Sequence, residues 1–256
     1  MEMFQKDLLV VKIYDSRAEM GLEAAKEAAA VIRSLQREKE YVRIIFAAAP
    51  SQNEFLAGLA ADQSIDFSRI DAFHMDEYIG LPKEAPQGFG NFLKAHIFDL
   101  REFHSVTYLN GQNPDPEEEC ERYTELLQEK PIDIVLMGVG ENGHIAFNDP
   151  PVADFNDPKA VKIVKLDEIC RMQQVHDGCF KTIDDVPTHA LSLTVPTLCA
   201  PPYRFCVVPA ATKANAVKHM LEDEIDEHCP CTVLRRTPGS FLYLDPDSSA
   251  LYKEKA

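Results

Sequence analysis

Apolar runs alternate with amphipathic stretches along the chain. Largely apolar runs are typical of strands buried on both faces of a parallel sheet, and they lie at residues 8–14, 42–49, 132–137 and 204–208. Between the first two runs, a helical pattern begins at the capping pair Asp15-Ser16 and ends at about Lys39. These residues predict a strand, a long helix and a second, central strand in that order.

The same alternation continues through the rest of the chain. Further strands are predicted at residues 70–74, 106–109, 160–166, 190–198 and 240–244. Further helices are predicted at residues 53–61 (capped by Ser51), 91–98, 116–128, 168–175, 213–222 and 246–255. Strands that alternate with helices predict an α/β fold. We expect a single doubly wound, mostly parallel, Rossmann-like sheet with helices on both faces, formed by one domain of residues 1–256.

The composition excludes several classes of partner. The 256 residues are 45% hydrophobic, enough for a sizeable core, and the net charge of -16 argues against nucleic acid and against an anionic membrane surface. Residues 1–16 lack the apolar region of a signal peptide, and no apolar stretch approaches the ~18 residues of a transmembrane helix. We expect a cytoplasmic protein that binds a small molecule, with a homo-oligomer left open.

The seven cysteines do not predict a disulfide framework. They are sparse for a chain of this length, and their odd number fits reduced thiols. His228-Cys229-Pro230-Cys231 is the one cluster that resembles a metal motif, but it lacks a second pair of ligands at zinc spacing. A loop with two free thiols and no metal is therefore expected.

The candidate chemistry is concentrated in residues 133–150, DIVLMGVGENGHIAFNDP. A buried strand ends here, and the loops after such strands carry the ligand in open α/β sheets. The glycines spell the dinucleotide pattern GxGxxG, which needs a helix starting at its third glycine. Asn148 and Pro150-Pro151 interrupt any such helix within about two turns, so no nucleotide cofactor is expected. His144, flanked by a carboxamide and carboxylates, indicates proton transfer instead.

Two other segments add candidate binding residues. Ala48, Ala49, Ser51 and Gln52 connect the central strand to the next helix, where a helix N-terminus is either an anion site or an ordinary capped end. Lys213 lies in the first turn of a later helix, where the helix dipole disfavours a cation. An anionic ligand beside Lys213 would explain this placement, and a solvated surface lysine is the alternative.

Several of these motifs resemble one enzyme family. Met75-Asp76-Glu77-Tyr78-Ile79-Gly80-Leu81-Pro82 and residues 138–150 closely resemble the glucosamine-6-phosphate deaminases, also called isomerases. Leu109-Asn110-Gly111, Lys213 and the spacing between these elements also fit, so the resemblance covers nearly the whole chain. The related 6-phosphogluconolactonases usually have Gly-His-Thr-Ala-Ser where this chain has Gly143-His144-Ile145-Ala146-Phe147. That difference favours the deaminase branch.

The resemblance implies a role for each matching residue. His144 would open the sugar ring by moving a proton between O1 and O5, and Asp76 would then move a proton between C2 and C1. The products would be fructose 6-phosphate and ammonia. Lys213 matches the family's phosphate-binding lysine, and Gly143 belongs to the loop that would hold the substrate.

The chain departs from the family pattern at three places. The family's best-studied members have aspartate at the position of Asn142 and glutamate at that of Asp149, and these side chains orient the ring-opening histidine. The usual phosphate loop Thr-Gly-Gly-Thr-Pro is replaced by Ala47-Ala48-Ala49-Pro50-Ser51. The family's phosphate-binding arginine has no direct match, and Arg171 is the nearest candidate.

Three alternatives to the leading function stay open. Galactosamine 6-phosphate could be the substrate, because the phosphate loop is altered, and a 6-phosphogluconolactonase-like hydrolase shares the fold. A non-catalytic sugar-phosphate sensor is the third alternative, although a binding protein has no need of Asp76 or His144. The leading hypothesis is a cytoplasmic glucosamine-6-phosphate deaminase that acts without a metal or other cofactor.

Overall fold

A computed structural model describes residues 1–252, and an eight-stranded sheet lies at its centre. The strands are β1 (Glu2–Lys6), β2 (Leu9–Ile13), β3 (Val42–Phe46), β4 (Ile70–His74), β5 (Asp76–Tyr78), β6 (Ser105–Thr107), β7 (Ile134–Met137), β8 (Val161–Lys165), β9 (His189–Leu193), β10 (Tyr203–Val208) and β11 (Ser240–Leu244). The central sheet has the order β1-β2-β11-β10-β7-β3-β4-β6 and is parallel except for the pair β1–β2. The predicted fold class, an α/β fold with a mostly parallel sheet, is confirmed.

A second, smaller sheet contains the three remaining strands. β9 lies between β5 and β8 and is antiparallel to both. The sequence predicted the region of β8 and β9 as part of one large sheet, and it did not predict β5 as a strand. This small sheet matters for function because β5 begins at Asp76.

The helices cover both faces of the central sheet. They are α1 (Arg17–Glu38), α2 (Asn53–Ala61), α3 (Phe89–Leu93), α4 (Pro116–Gln128), α5 (Glu168–His176), α6 (Val195–Cys199) and α7 (Ala214–Glu222). A π-helical turn, Lys94–Phe98, follows α3, while 3-10 turns at Pro50–Gln52 and Ala211–Lys213 precede α2 and α7. Within residues 1–252, every helix is too short or too polar to cross a lipid bilayer.

The central sheet lies between two hydrophobic cores, and this explains why the sequences of its inner strands are mostly apolar. On β7, Ile134 and Leu136 are buried in the core that α1 and α2 cover. Val135 and Met137 are buried in the opposite core, against α4, α6 and α7. Successive side chains of a strand point to opposite faces, so a strand covered on both sides is apolar at most of its positions.

Three local predictions were wrong. Ser51 does not cap α2, since Gln52 is the N-terminal cap residue and no side chain caps the helix. The predicted strand 190–198 stops at Leu193, and Pro196 then lies in the first turn of α6, where proline is favoured. The predicted helix 246–255 is a series of turns as far as Leu251, and residues 253–255 lie outside the described residues.

Candidate active site

Loops that follow β3, β4 and β7 converge on one narrow crevice. Parallel strands end at the same edge of the sheet, so loops that are distant in sequence meet there. The crevice encloses about 60 Å³. Its walls include residues from these loops and from α5: Ala48, Ala49, Ser51, Gln52, Asp76, Gly138, Gly140, His144, Gln173 and Gln174.

The imidazole of His144 is held on one side by two acceptors. Its Nδ1 lies 2.7 Å from Oδ1 of Asn142 and 2.9 Å from Oδ1 of Asp149, so Nδ1 carries a proton and donates it. Nε2 makes no hydrogen bond within residues 1–252, which leaves it free for a ligand in the crevice. An added Cβ at Gly140 would lie 2.2 Å from Nε2, so only glycine at that position leaves room for the ring.

Asp149 supplies a negative charge beside His144. Asn142 Nδ2 donates a hydrogen bond to Asp149 Oδ1 at 3.0 Å, and the backbone N–H of Asp167 donates to Oδ2 at 3.2 Å. Burial would raise the pKa of Asp149, but the nearby His144 and these two hydrogen bonds hold that pKa below its usual value. Asp149 is therefore ionised at neutral pH and can stabilise a protonated imidazole.

Asp76 lies at the first position of β5, opposite Ser192 of β9. Its side chain is almost buried and accepts no hydrogen bond from residues 1–252. Burial, and next the neighbouring Glu77, raise the pKa of Asp76 well above its usual value. Glu77 has a structural role, because it accepts hydrogen bonds from the backbone N–H groups of Phe89 (3.1 Å) and Gly90 (2.9 Å) at the start of α3. The two adjacent carboxylates therefore have different roles, although the charge of Glu77 influences Asp76.

His74 fixes the backbone beside Asp76. Its Nδ1 lies 2.9 Å from the carbonyl oxygen of Asp76, and its Nε2 accepts a hydrogen bond of 3.0 Å from the N–H of Leu109. Because Nε2 accepts, Nδ1 must be the donor and the ring is neutral. Burial lowers the pKa of His74 to about 4. This role was not predicted from the sequence, although His74 stands directly before the Met75-Asp76 motif.

Lys213 is a buried cation without a partner. Its side chain is 3% exposed, and Nζ makes no hydrogen bond within residues 1–252. Burial lowers the pKa of Lys213, while Asp177 and Glu141 partly oppose this shift. Three residues earlier, Ala210 has φ 82° and ψ 149°, a conformation that residues other than glycine rarely adopt. The segment that carries Lys213 is thus held in a strained backbone turn.

Five candidates from the sequence are not among the residues that line the crevice: Asn142, Gly143, Asp149, Arg171 and Lys213. Asn142 and Asp149 instead contact the His144 ring from behind. The guanidinium of Arg171 donates to the backbone carbonyls of Ile183 (2.6 Å) and Val186 (2.9 Å). It therefore stabilises the loop that follows α5 and does not face the crevice. Gly143 belongs to the loop that carries His144 (residues 138–150, the catalytic loop), but it packs against Cys229 on the side away from the crevice. The expected contacts of Arg171 and Gly143 with substrate therefore do not follow from this geometry.

Two glutamines of α5 line the crevice but were not singled out from the sequence. Gln173 Oε1 accepts a hydrogen bond of 2.8 Å from the N–H of Glu141, which joins α5 to the catalytic loop. The side-chain amide of Gln174 makes no hydrogen bond within residues 1–252, although the residue is buried. The helix itself was predicted, but the sequence does not show which of its polar residues face inward.

One group of three metal-ligating side chains occurs within residues 1–252. Donor atoms of His144, Asp149 and Cys170 lie within 4.8 Å of one another. Two of these residues are already engaged with each other, and burial raises the pKa of the Cys170 thiol well above its usual value. A protonated thiol is a poor metal ligand, so the group fits the acid–base arrangement better than a metal centre.

The sequence of this chain is similar to those of known sugar-phosphate enzymes. A sequence profile described as glucosamine-6-phosphate isomerases/6-phosphogluconolactonase matches residues 15–243. The glucosamine-6-phosphate deaminase of Bacillus cereus (strain G9842) is 34% identical over 248 residues, which cover 97% of this chain and 90% of that protein. The enzyme of the same name from Bacillus thuringiensis (strain Al Hakam) is 33% identical with the same coverage.

Solved structures show the same architecture. A monomeric glucosamine-6-phosphate deaminase superposes with a TM-score of 0.85 at 26% identity, covering 94% of this chain and 99% of that one. The 6-phosphogluconolactonase of Thermotoga maritima gives a TM-score of 0.75 at 17% identity, covering 93% and 99% of the two chains. The second match shows the shared fold alone.

Proposed function

The chain belongs to the glucosamine-6-phosphate isomerase/6-phosphogluconolactonase family, and we propose that it is a glucosamine-6-phosphate deaminase. It converts glucosamine 6-phosphate and water to fructose 6-phosphate and ammonia. The observation that carries the proposal is the pairing of two proton carriers on one crevice. His144 has a free Nε2 and an anchored Nδ1, whereas Asp76 is a desolvated carboxyl with a raised pKa.

Ring opening is assigned to His144. Nε2 takes the proton from O1 of the closed sugar and delivers it to O5, while the C1–O5 bond breaks and C1 becomes an aldehyde. During the transfer the imidazole is positively charged. Asp149, 2.9 Å from Nδ1, stabilises that charge, and Asn142 keeps the ring in its orientation.

Isomerisation is assigned to Asp76. Its carboxylate removes the proton from C2 and returns it to C1. The C1 carbonyl oxygen gains a proton while the C2 amine loses one, so that C1 becomes a hydroxymethyl group and C2 an imine. Water then adds to the imine, and ammonia leaves as the C2 ketone forms. A carboxyl whose pKa is raised by burial accepts a carbon-bound proton more readily than an exposed one, so the desolvated setting of Asp76 suits this step.

Lys213 is assigned to the phosphate. A buried ammonium without a hydrogen-bond partner is costly in the free protein, and an anionic ligand removes that cost. Ser51 and Gln52 line the crevice from the loop after β3. The Ser51 hydroxyl accepts a hydrogen bond of 3.1 Å from Nε2 of Gln52, and its own O–H can donate to the phosphate.

An assay of ammonia release tests the proposal. The wild type is incubated with glucosamine 6-phosphate, galactosamine 6-phosphate and 6-phosphogluconolactone, and ammonia and lactone hydrolysis are followed separately. We expect ammonia from glucosamine 6-phosphate and none after Asp76→Asn. Faster turnover of galactosamine 6-phosphate would change the substrate, and lactone hydrolysis without ammonia release would overturn the deaminase assignment.

The ring-opening role needs its own comparison. His144→Gln should lower turnover of the closed-ring sugar far more than turnover of an open-chain analogue, because only the closed form requires ring opening. Equal loss with both substrates would move His144 to the later isomerisation step.

A further inference from the structure

A pair of cysteines lies directly behind the catalytic loop. Cys229 and Cys231 flank Pro230 at the start of the 3-10 helix Pro230–Arg236, and both are free thiols. Their Sγ atoms are 3.6 Å apart. The sequence predicted a loop with two free thiols here, and the structure adds that the thiols touch.

This cysteine pair is in contact with Gly143. The backbone N–H of Cys231 donates a hydrogen bond of 2.8 Å to the carbonyl oxygen of Gly143. A Cβ added at Gly143 would lie 2.7 Å from Sγ of Cys229 and 3.5 Å from Sγ of Cys231. Gly143 has φ +83° and directly precedes His144, so the two thiols contact the residue next to the catalytic histidine.

The two thiols differ in access and in chemistry. Cys231 is fully buried, whereas Cys229 is partly exposed and lines a cavity of about 670 Å³. The hydrogen bond with Cys231 lowers the pKa of Cys229, although burial and Asp223 oppose this effect. Cys229 is therefore the nucleophile of the pair and Cys231 the resolving thiol.

The cavity walls determine which oxidant can reach Cys229. They carry four acidic side chains and two histidines: Glu141, Asp223, Glu224, Asp226, His219 and His228. The histidines pair with Asp223 and Asp226, so acidic groups still outnumber basic ones. This negative surface repels anionic reagents such as a glutathione disulfide and admits a small neutral hydroperoxide.

We propose that Cys229 and Cys231 form an oxidative modification site, at which a hydroperoxide produces an intrachain disulfide that lowers activity. The Cys229 thiolate attacks one peroxide oxygen, the O–O bond breaks, and a sulfenic acid forms while water or an alcohol leaves. The Cys231 sulfur then attacks Sγ of Cys229, the S–S bond forms, and the sulfenic oxygen leaves as a second water. Two thiols are oxidised and one peroxide is reduced.

Closing the disulfide changes the geometry behind His144. A disulfide bond is ~2.05 Å long, so the sulfurs must approach by roughly 1.5 Å. That movement pulls on Gly143 through the contacts described above. Misplacement of a catalytic group by ~1 Å can cost about 100-fold in rate, so we expect kcat/KM to fall by roughly 10- to 100-fold.

The chemical part of the proposal is tested without an activity assay. The full chain is treated with hydrogen peroxide, free thiols are alkylated, and the mass of the peptide that contains residues 229–231 is measured by mass spectrometry. We expect it to lose two hydrogen atoms and to escape alkylation, and a dithiol reductant should restore both thiols. In Cys231→Ala, a sulfenic acid at Cys229 should instead be trapped by dimedone. Cys179→Ser, at a partly exposed cysteine elsewhere, should still form the disulfide.

The activity part rests on the proposed function and is measured separately. Peroxide should lower kcat/KM of the wild type and of Cys179→Ser, with recovery after reduction, and should leave the double variant Cys229→Ala/Cys231→Ala at its own untreated value. Absence of the disulfide in the mass measurement would overturn the modification site. A complete disulfide with unchanged kcat/KM would overturn the coupling to His144. A chain without deaminase activity would still give the mass result, so the two failures are distinguishable.

Discussion

Oδ1 of Asp149 lies 2.9 Å from Nδ1 of His144, so this carboxylate provides the charge that position 142 lacks. Asn142 fits this arrangement because its Nδ2 donates to the same oxygen at 3.0 Å while its Oδ1 faces the imidazole. An aspartate at position 142 would place a second carboxylate against Asp149. The asparagine and the shorter acidic side chain at position 149 therefore form a matched pair.

Removal of the Asp149 charge should reduce the rate while preserving the fold. Asp149→Asn leaves the imidazolium without its buried counter-charge, and we expect kcat/KM to fall roughly 10²- to 10⁴-fold. Asn142→Ala keeps the charge and should lose less. Steady-state kinetics of both variants decide this. If Asn142→Ala is the more damaging substitution, hydrogen-bonded orientation rather than charge dominates.

Asp76→Asn should abolish turnover and yet stabilise the protein. Loss of the general base should lower kcat by at least ~10²-fold and stop exchange of the C2 proton with solvent. The folded-state pKa of Asp76 is raised, so its stability contribution is present at low pH and lost as pH rises through that pKa. The gain in Tm on Asp76→Asn should therefore grow from pH 4 to pH 8. Glu77→Gln, at the helix-capping carboxylate, should instead lower Tm. C2 exchange near the wild-type rate would remove Asp76 from the mechanism.

Lys213→Met should stabilise the free protein and weaken phosphate binding. The variant removes a buried ammonium without a partner, so Tm should rise in the absence of ligand. Inorganic phosphate should stabilise the wild type but not the variant, and KM should increase roughly 10- to 100-fold with little change in kcat. Lys218→Met, on the exposed face of α7, is the matched control. Equal KM values in the wild type and Lys213→Met would show that the phosphate binds elsewhere.

Burial of His74 should make the protein sensitive to mild acid. Its pKa is about 4 in the folded state against 6.5 in the unfolded chain. The contribution of neutral His74 to the free energy of unfolding is therefore complete above about pH 6.5. It is lost as pH falls towards 4, which lowers the free energy of unfolding by about 3 kcal/mol through linkage. Urea unfolding at pH 7.5, 5.5 and 4.5 measures it. His74→Gln can still bridge Leu109 and Asp76 and should show a shallower pH slope. Identical slopes for both proteins would assign the acid sensitivity to other groups.

Relief of backbone strain at Ala210 should stabilise the protein. Its φ of 82° and ψ of 149° cost about 1–3 kcal/mol for a residue with a Cβ, and glycine removes most of that cost despite its greater freedom when unfolded. We expect Ala210→Gly to gain ~1 kcal/mol, or roughly 2–4 °C in Tm. Ala211→Gly, in the adjacent 3-10 turn, should lower Tm. A lower Tm for Ala210→Gly would mean that the turn relaxes without strain.

The central sheet could be predicted because its signal is local. Its inner strands, such as β7, are covered on both faces, and the resulting apolar run is visible in the sequence itself. The largely exposed edge strand β1 lacks such a run and was not predicted. The small sheet could not be predicted in the same way. β5 has three residues, and its pairing with β9 depends on a contact between segments that are remote in sequence.

The active site likewise has features that the local sequence predicts and features that depend on the folded structure. Four residues could be named from motifs, and the structure brings them to one edge of the sheet: Asp76, His144, Asn142 and Asp149. The hydrogen bond between Asn142 and Asp149 could not be foreseen, since it depends on a turn in which Ala146 adopts φ 47°. Arg171 shows the opposite case, because the motif spacing does not reveal which way a helical side chain points.

The strand that carries Asp76 has consequences for the order in which the protein is made. β5 is synthesised early, but its hydrogen-bonding partner β9 emerges from the ribosome only after the whole catalytic loop. A nascent chain that ends at residue 188 already contains Asp76, His144 and Asp149, yet it lacks the strand that sets Asp76 in place. Lys213 follows later still. We therefore expect enzymatic competence to be one of the last properties that the growing chain acquires, and chains that end before β9 to lack it.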